Sequence, residues 1–265
     1  MRQPYKPRSF HYVLLFCILS FHNYAHAQGR WKNGYIVSKS GDTSFGKIAF
    51  VERSRSPKTV TFKKERGGAK KKYNPSDIRA FKVKLSYQDV FFTSLSADLD
   101  ISSTDLTLMN TSSEPTYQKF DFFAQLLVKG TSSLYTYKDT VVSKKHFLIV
   151  SSDGNVTDLV NKHYYLDDNR ITATYNEEFK KQLSRFYADC PAVNAEKINH
   201  LTYTASGMMN LANLYNSCGH MNAGTDYYFK QERTKVIIGN VLGPNMVTMN
   251  VSGGTYNGIS FAPSY

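Results

Sequence analysis

Short stretches in which apolar and polar residues alternate, each closed by a Gly-, Asn- or Asp-containing turn, recur along this chain and restrict it to a mainly β fold. Thr59-Val60-Thr61-Phe62-Lys63 alternates with period two, the mark of a strand with one face buried. Residues 34–38 and 45–50 flank Ser40-Gly41-Asp42 and read as a hairpin. Asn74-Pro75-Ser76-Asp77 is turn chemistry, followed by the apolar positions Ile78, Phe81 and Val83. Residues 122–128, 133–137, 146–150 and 156–160 form a four-strand meander, with Asp153-Gly154 joining the last two. Between these groups, residues 96–118 are rich in Ser, Thr and Asp and hold Pro115. They read as a loop or weak edge strand, with Leu106-Thr107-Leu108 its strand-like part.

Two helices follow the meander. Thr174-Tyr175-Asn176-Glu177 has the form of a capping box, after which Phe179, Leu183, Phe186, Tyr187 and Cys190 share one face, up to Pro191. Met208, Leu211, Ala212, Tyr215 and Cys218 mark the second helix, ended by Gly219. These stripes are core positions. From Thr234 the pattern returns to β in residues 235–245, 246–251 and 256–265, where Gly- and Asn-containing apolar alternation suits strands of a membrane barrel.

The first residues address the chain for export. Arg2, Lys6 and Arg8 precede an apolar run over 12–21 and then Ala25-His26-Ala27, the pattern of a cleavable signal peptide with the cut before Gln28. The run falls short of the roughly 20 apolar residues that span a bilayer. Cys17 follows the bulky Phe16, which argues against a lipoprotein anchor. Cleavage leaves Cys190 and Cys218, an even pair that an oxidising compartment favours as a disulfide; two buried free thiols are the alternative. Each predicted helix ends in one of the two, so one bond would tie their C-termini. From Gln28 onward neither C-x-x-C nor H-x-x-x-H spacing is present for zinc.

The formal net charge is +12, unevenly spread. Residues 30–84 hold 16 Lys and Arg against 4 Asp and Glu, whereas 85–118 hold 5 acidic residues and no basic one. Mutual attraction and solvated faces account for such a division; a patch for an anionic lipid or glycan is the functional alternative. The candidate anion-binding residues are Lys63, Lys64, Arg66, Lys70, Lys71 and Lys72, around a Gly67-Gly68 hairpin tip. Nucleic acid is a poor partner for an exported chain.

Enzymatic motifs are missing. The sequence holds no G-x-S-x-G elbow, Walker loop or H-E-x-x-H. His146, His163, His200 and His220 are scattered without motif spacing, and Asp167-Asp168-Asn169 reads as a turn. No cofactor, metal or catalytic residue is assigned, and a non-enzymatic protein is expected.

This arrangement resembles a family of Gram-negative outer-membrane β-barrel proteins with an N-terminal β-rich periplasmic domain. The resemblance rests on Gly34-Tyr35-Ile36-Val37 with Gly41-Asp42-Thr43 and Gly46-Lys47-Ile48, and on Tyr73-Asn74-Pro75-Ser76-Asp77-Ile78. It continues in residues 126–130 with Ser133-Leu134-Tyr135, in 179–183 with Cys190, and in Tyr215-Asn216-Ser217-Cys218. It implies four parts: a signal peptide (1–27), a β-rich periplasmic domain (28–165), a helical segment with a disulfide (166–225) and the first strands of a barrel (226–265). A closed barrel needs at least about 8 strands of some 10 residues. Residues 235–265 have room for two or three, so the expectation is a truncated barrel, strands packed on the periplasmic domain, or a barrel shared between chains. The fold expected is thus antiparallel β meanders with a short two-helix segment, in the periplasm or outer membrane, with outer-membrane lipid or an anionic glycan as partner.

Overall fold

In the computed structural model, which describes residues 31–51, 55–64, 68–139, 142, 144–218 and 225–226, alternation becomes pairing at the start of the chain. The expected signal peptide, Arg66 and the strands expected from residue 235 lie outside the described residues. β1 (Trp31–Ser38) and β2 (Thr43–Ala49) form the expected hairpin. Gly41, at φ +100°, takes the left-handed position this turn requires, and the Ser38 backbone N–H donates to the Asp42 carbonyl at 2.9 Å. β3 (Val60–Lys63), β4 (Lys71–Tyr73) and β5 (Ile78–Lys84) follow, then the long pair β6 (Asp89–Asp100) and β7 (Tyr117–Lys129). β8 (Ser133–Lys138), β9 (Lys145–Val150) and β10 (Val156–Asp158) complete the meander. The sheet runs β10-β9-β8-β7-β6-β5-β1-β2-β3-β4, every neighbour antiparallel.

β11 (Lys162–Tyr165) and β12 (Ala173–Asn176) form a separate hairpin, and three helices follow: α1 (Glu178–Phe186), α2 (Ala195–Asn199) and α3 (Ala205–Asn216). β13 (Thr225–Asp226) returns to pair with Lys129 and Val128 at the end of β7. The molecule is mainly β with short helices, as the alternation implied.

Three local expectations need correction. Thr174 is not a helix cap: it lies in β12 opposite Tyr164, and α1 starts after Glu177 with no side-chain capping bond. Pairing with β11 holds this stretch extended. Residues 96–118 are not all loop, because β6 continues to Asp100 and β7 begins at Tyr117. Leu106-Thr107-Leu108 is a turn, where the Asp105 carboxylate accepts from both the N–H and the hydroxyl of Thr107 at 2.8 Å. β3 and β4 form the hairpin expected around the basic run, pairing from Val60–Tyr73 to Phe62–Lys71, and Gly67 lies outside the described residues.

Strand alternation sends Ile36, Ile48, Val60, Phe62, Phe81, Val83 and Phe92 to one side of the sheet, where they form a core with Phe123. The sheet coils around it. Phe50, just past β2, lies 5.9 Å from Phe92 on β6, and the Ser56 N–H donates to the Lys138 carbonyl of β8 at 3.2 Å. Gly34 and Gly46 face each other on this inner side. A Cβ at Gly34 would lie 2.0 Å from the Lys82 carbonyl oxygen, and one at Gly46 would lie 2.3 Å from that of Lys63. Only glycine fits at this curvature.

Beyond β6 both faces of the sheet are covered. Ala97, Leu99, Phe122, Ala124, Tyr137 and Leu148 form a second core as β10 comes back beside β6. On the opposite face Leu127, Leu134, Phe147 and Ile149 pack with Phe179 and Leu183 of α1 and with Met208 and Leu211 of α3. The helical segment and the meander therefore share one core.

Candidate functional site

Among the described residues no layer covers the other face of β1–β5 and the start of β6, and period-two alternation fixes which side chains occupy it. Phe45 on β2, Tyr35 on β1, Lys82 on β5 and Phe91 on β6 stand directly opposite one another in successive strands. A second row runs Asn33, Lys47, Lys63 across β1, β2 and β3, and a third runs Trp31, Ala49, Thr61, Lys72 across β1 to β4. Phe45 is 72 % exposed, so its ring is offered to solvent. Tyr35 meets it edge-on at 5.6 Å.

Ammonium groups lie on these rings. Lys63 Nζ is 4.4 Å and Lys70 Nζ 5.9 Å from the centre of the Trp31 ring. Lys82 Nζ is 5.5 Å from Tyr35 and 5.3 Å from Phe91, and it also pairs with Asp89 at 2.7 Å. Such contacts contribute about 0.5–1 kcal/mol each at exposed sites, enough to hold long side chains flat against the face. Lys47, Lys63, Lys72 and Lys82 outnumber this acidic partner among the described residues of the face, which are thus net cationic.

The described lysines of the basic run are divided between two faces of the sheet. Lys63 and Lys72 belong to the open face, whereas Lys71, opposite Phe62, points to the other side and lies 4.9 Å over Tyr73. Lys64 and Lys70 are exposed on the connection between β3 and β4. Trp31, Tyr35, Phe45, Lys47 and Lys82 escaped a reading that followed consecutive charges. Their signal was present in the alternating positions 31, 33, 35 and 43, 45, 47.

Cys190 and Cys218 form a disulfide, with Cα atoms 5.7 Å apart. It ties the chain just after α1 to the residue after the α3 cap. Three residues before each cysteine, Tyr187 and Tyr215 stack at 4.2 Å. Burial pushes the Tyr187 phenol up to about 12, and its hydroxyl meets Ser132 Oγ at 3.1 Å.

A second group of functional side chains is buried between β6, β9 and β10. Lys144 pairs with Asp100, and His146 Nδ1 lies 2.9 Å from the Asp158 carboxylate, which also accepts from the Asp100 N–H at 3.0 Å. Burial alone would raise the Asp100 carboxyl, but the Lys144 charge and the Ser102 hydrogen bonds hold it below its ordinary value. Lys162 donates to the Glu114 carbonyl, and burial lowers its ammonium. Tyr203 donates to the Leu159 carbonyl at 2.6 Å; burial, then Asp158, raises its phenol well above 10. The side chains of Lys144, Asp100, His146 and Asp158 are at most 5 % exposed, so these groups satisfy one another in the interior. Of the other histidines, His163 stacks on Tyr175 at 4.3 Å.

Among the described residues no three His, Cys, Asp or Glu side chains gather in metal-ligand range. None of the described helices is long and apolar enough to cross a membrane. Comparison with protein-family models, curated proteins and solved structures finds no match for the chain.

Proposed function

We propose that this chain is a non-enzymatic protein of the bacterial cell envelope, forming the periplasmic portion of an outer-membrane β-barrel protein. The observation that carries this reading is the Cys190–Cys218 disulfide in a chain that starts with an export signal pattern. Such bonds persist in oxidising compartments and are rare in the cytosol. Burial and mutual pairing of Asp100, Lys144, His146 and Asp158 support a structural role for the charges most suited to catalysis. Fractionation of cells expressing the chain, with thiol alkylation before lysis, tests the reading. Recovery in the periplasmic or outer-membrane fraction, with both cysteines protected, is expected. Recovery in the cytosol with both thiols alkylated would overturn it.

The cationic face favours a second reading, a module that holds an anionic glycan or lipid. Lys47, Lys63, Lys72 and Lys82 supply the charge there, and the rings of Trp31, Tyr35 and Phe45 supply contact area.

A further inference from the structure

We infer that the open face of β1–β6 takes an acidic polysaccharide, with a sugar ring lying on the exposed Phe45 and carboxylates meeting Lys47 and Lys63. This inference rests on the second reading above and names its ligand. The face is broad and ordered, with side chains repeating at about 4.8 Å across strands and about 6.8 Å along them. An extended polymer matches such a lattice better than a compact ligand, which needs a concave pocket.

Ring and charge are interleaved here, not merely adjacent. In the row Phe45–Tyr35–Lys82–Phe91 an ammonium sits between aromatic side chains, and Lys63 lies over Trp31. Pyranose rings present C–H faces that stack on aromatics, while uronic carboxylates project from their edges. Both needs are met at one level of the surface. A bilayer is matched less well: sinking Trp31 or Tyr35 into acyl chains would carry Lys63 and Lys82 with them, and a charge in hydrocarbon is costly.

The full chain, purified in its oxidised form, should be titrated by calorimetry with polygalacturonate oligomers, with the same oligomers fully methyl-esterified, and with phosphatidylglycerol vesicles. Binding to the acidic oligomers, weakened by salt and lost on esterification, is expected. Lys47→Gln with Lys63→Gln should weaken it about tenfold, in line with two exposed ion pairs. Phe45→Ala, which leaves the charge intact, should also weaken it severalfold, and both variants should keep the parent unfolding midpoint. Binding that the Phe45 variant leaves unchanged would overturn the stacking, and with it the inference. Tighter binding to the vesicles than to the oligomers would overturn the polysaccharide while leaving an anionic partner in place. Binding to none of the three would overturn both.

Discussion

Replacing Lys144 by methionine keeps most of the stem volume and deletes the ammonium that neutralises Asp100. In the native protein the two side chains are 5 % and 0 % exposed, so the carboxylate left behind cannot recover its hydration. It would keep the Ser102 N–H at 2.9 Å and the Thr116 N–H at 3.2 Å, which hold it in position. Removing one partner of a buried pair costs about 3–5 kcal/mol. Lys162 carries a second positive charge felt by Asp100, which favours the lower end of that range. For a chain of this size the loss corresponds to about 6–20 °C in Tm. Urea unfolding of Lys144→Met beside the parent measures it.

The pH dependence gives an independent test. In the parent, the Asp100 carboxyl titrates below its ordinary value, so its contribution is full above the unfolded value of about 3.9 and is lost as pH falls through the lower native one. In the variant burial acts without the opposing ammonium, the native value rises, and protonation relieves the buried charge. The gap between parent and variant should therefore be wide at pH 7 and shrink as pH falls toward 3. Asp158, His146 and Lys162 are common to both proteins and cancel to first order. Adding Asp100→Asn to Lys144→Met should recover part of the loss. A midpoint unchanged by Lys144→Met, or a gap constant with pH, would refute the reasoning.

Reduction of the Cys190–Cys218 bond, 28 residues apart, should lower stability by about 3.6 kcal/mol in the chain-entropy model, roughly 7–14 °C in Tm, read by calorimetry with and without reductant. Asn216, fully buried, accepts from the Ser132 N–H at 2.9 Å and donates to its carbonyl at 3.0 Å. Asn216→Leu would leave both backbone groups unpaired and cost about 2–4 kcal/mol; urea unfolding, with amide exchange at residues 130–133, checks this. Gly46→Val should unfold or open the β1–β2 region, since even a Cβ meets the Lys63 carbonyl, and an unchanged urea midpoint would count against the close approach.

The strands were legible where one face is buried and the other open. In β3 and β5, and in the β1–β2 hairpin, the alternation was visible and the pairing followed it. Reading failed where tertiary contacts override local preference. Thr174 and Glu177 satisfy a capping pattern, but β11, which no periodicity announced, pairs with that stretch first. The polar, Asp-rich run after Leu95 resembles a loop because nothing local marks its charges as buried. Asp100 is in fact inside, where Lys144, 44 residues away, and the Ser102 and Thr116 N–H groups satisfy it.

From the sequence alone follow the mainly β class, the core positions of the helices and a disulfide as the favoured state of Cys190 and Cys218, because periodicity and cysteine count are local or compositional properties. The tertiary structure decided the rest. Coiling of the sheet, enforced where Gly34 and Gly46 face each other, buries one side of β1–β5 and leaves the other uncovered by the described residues. Register then sets Phe45, Tyr35 and Lys82 in one row and turns Lys71 away from Lys63 and Lys72. A run of charges in the chain is thereby divided between two faces, and residues as distant as Trp31 and Lys70 come together. Strand pairing joins residues far apart in sequence, which is why the run alone could not show the surface.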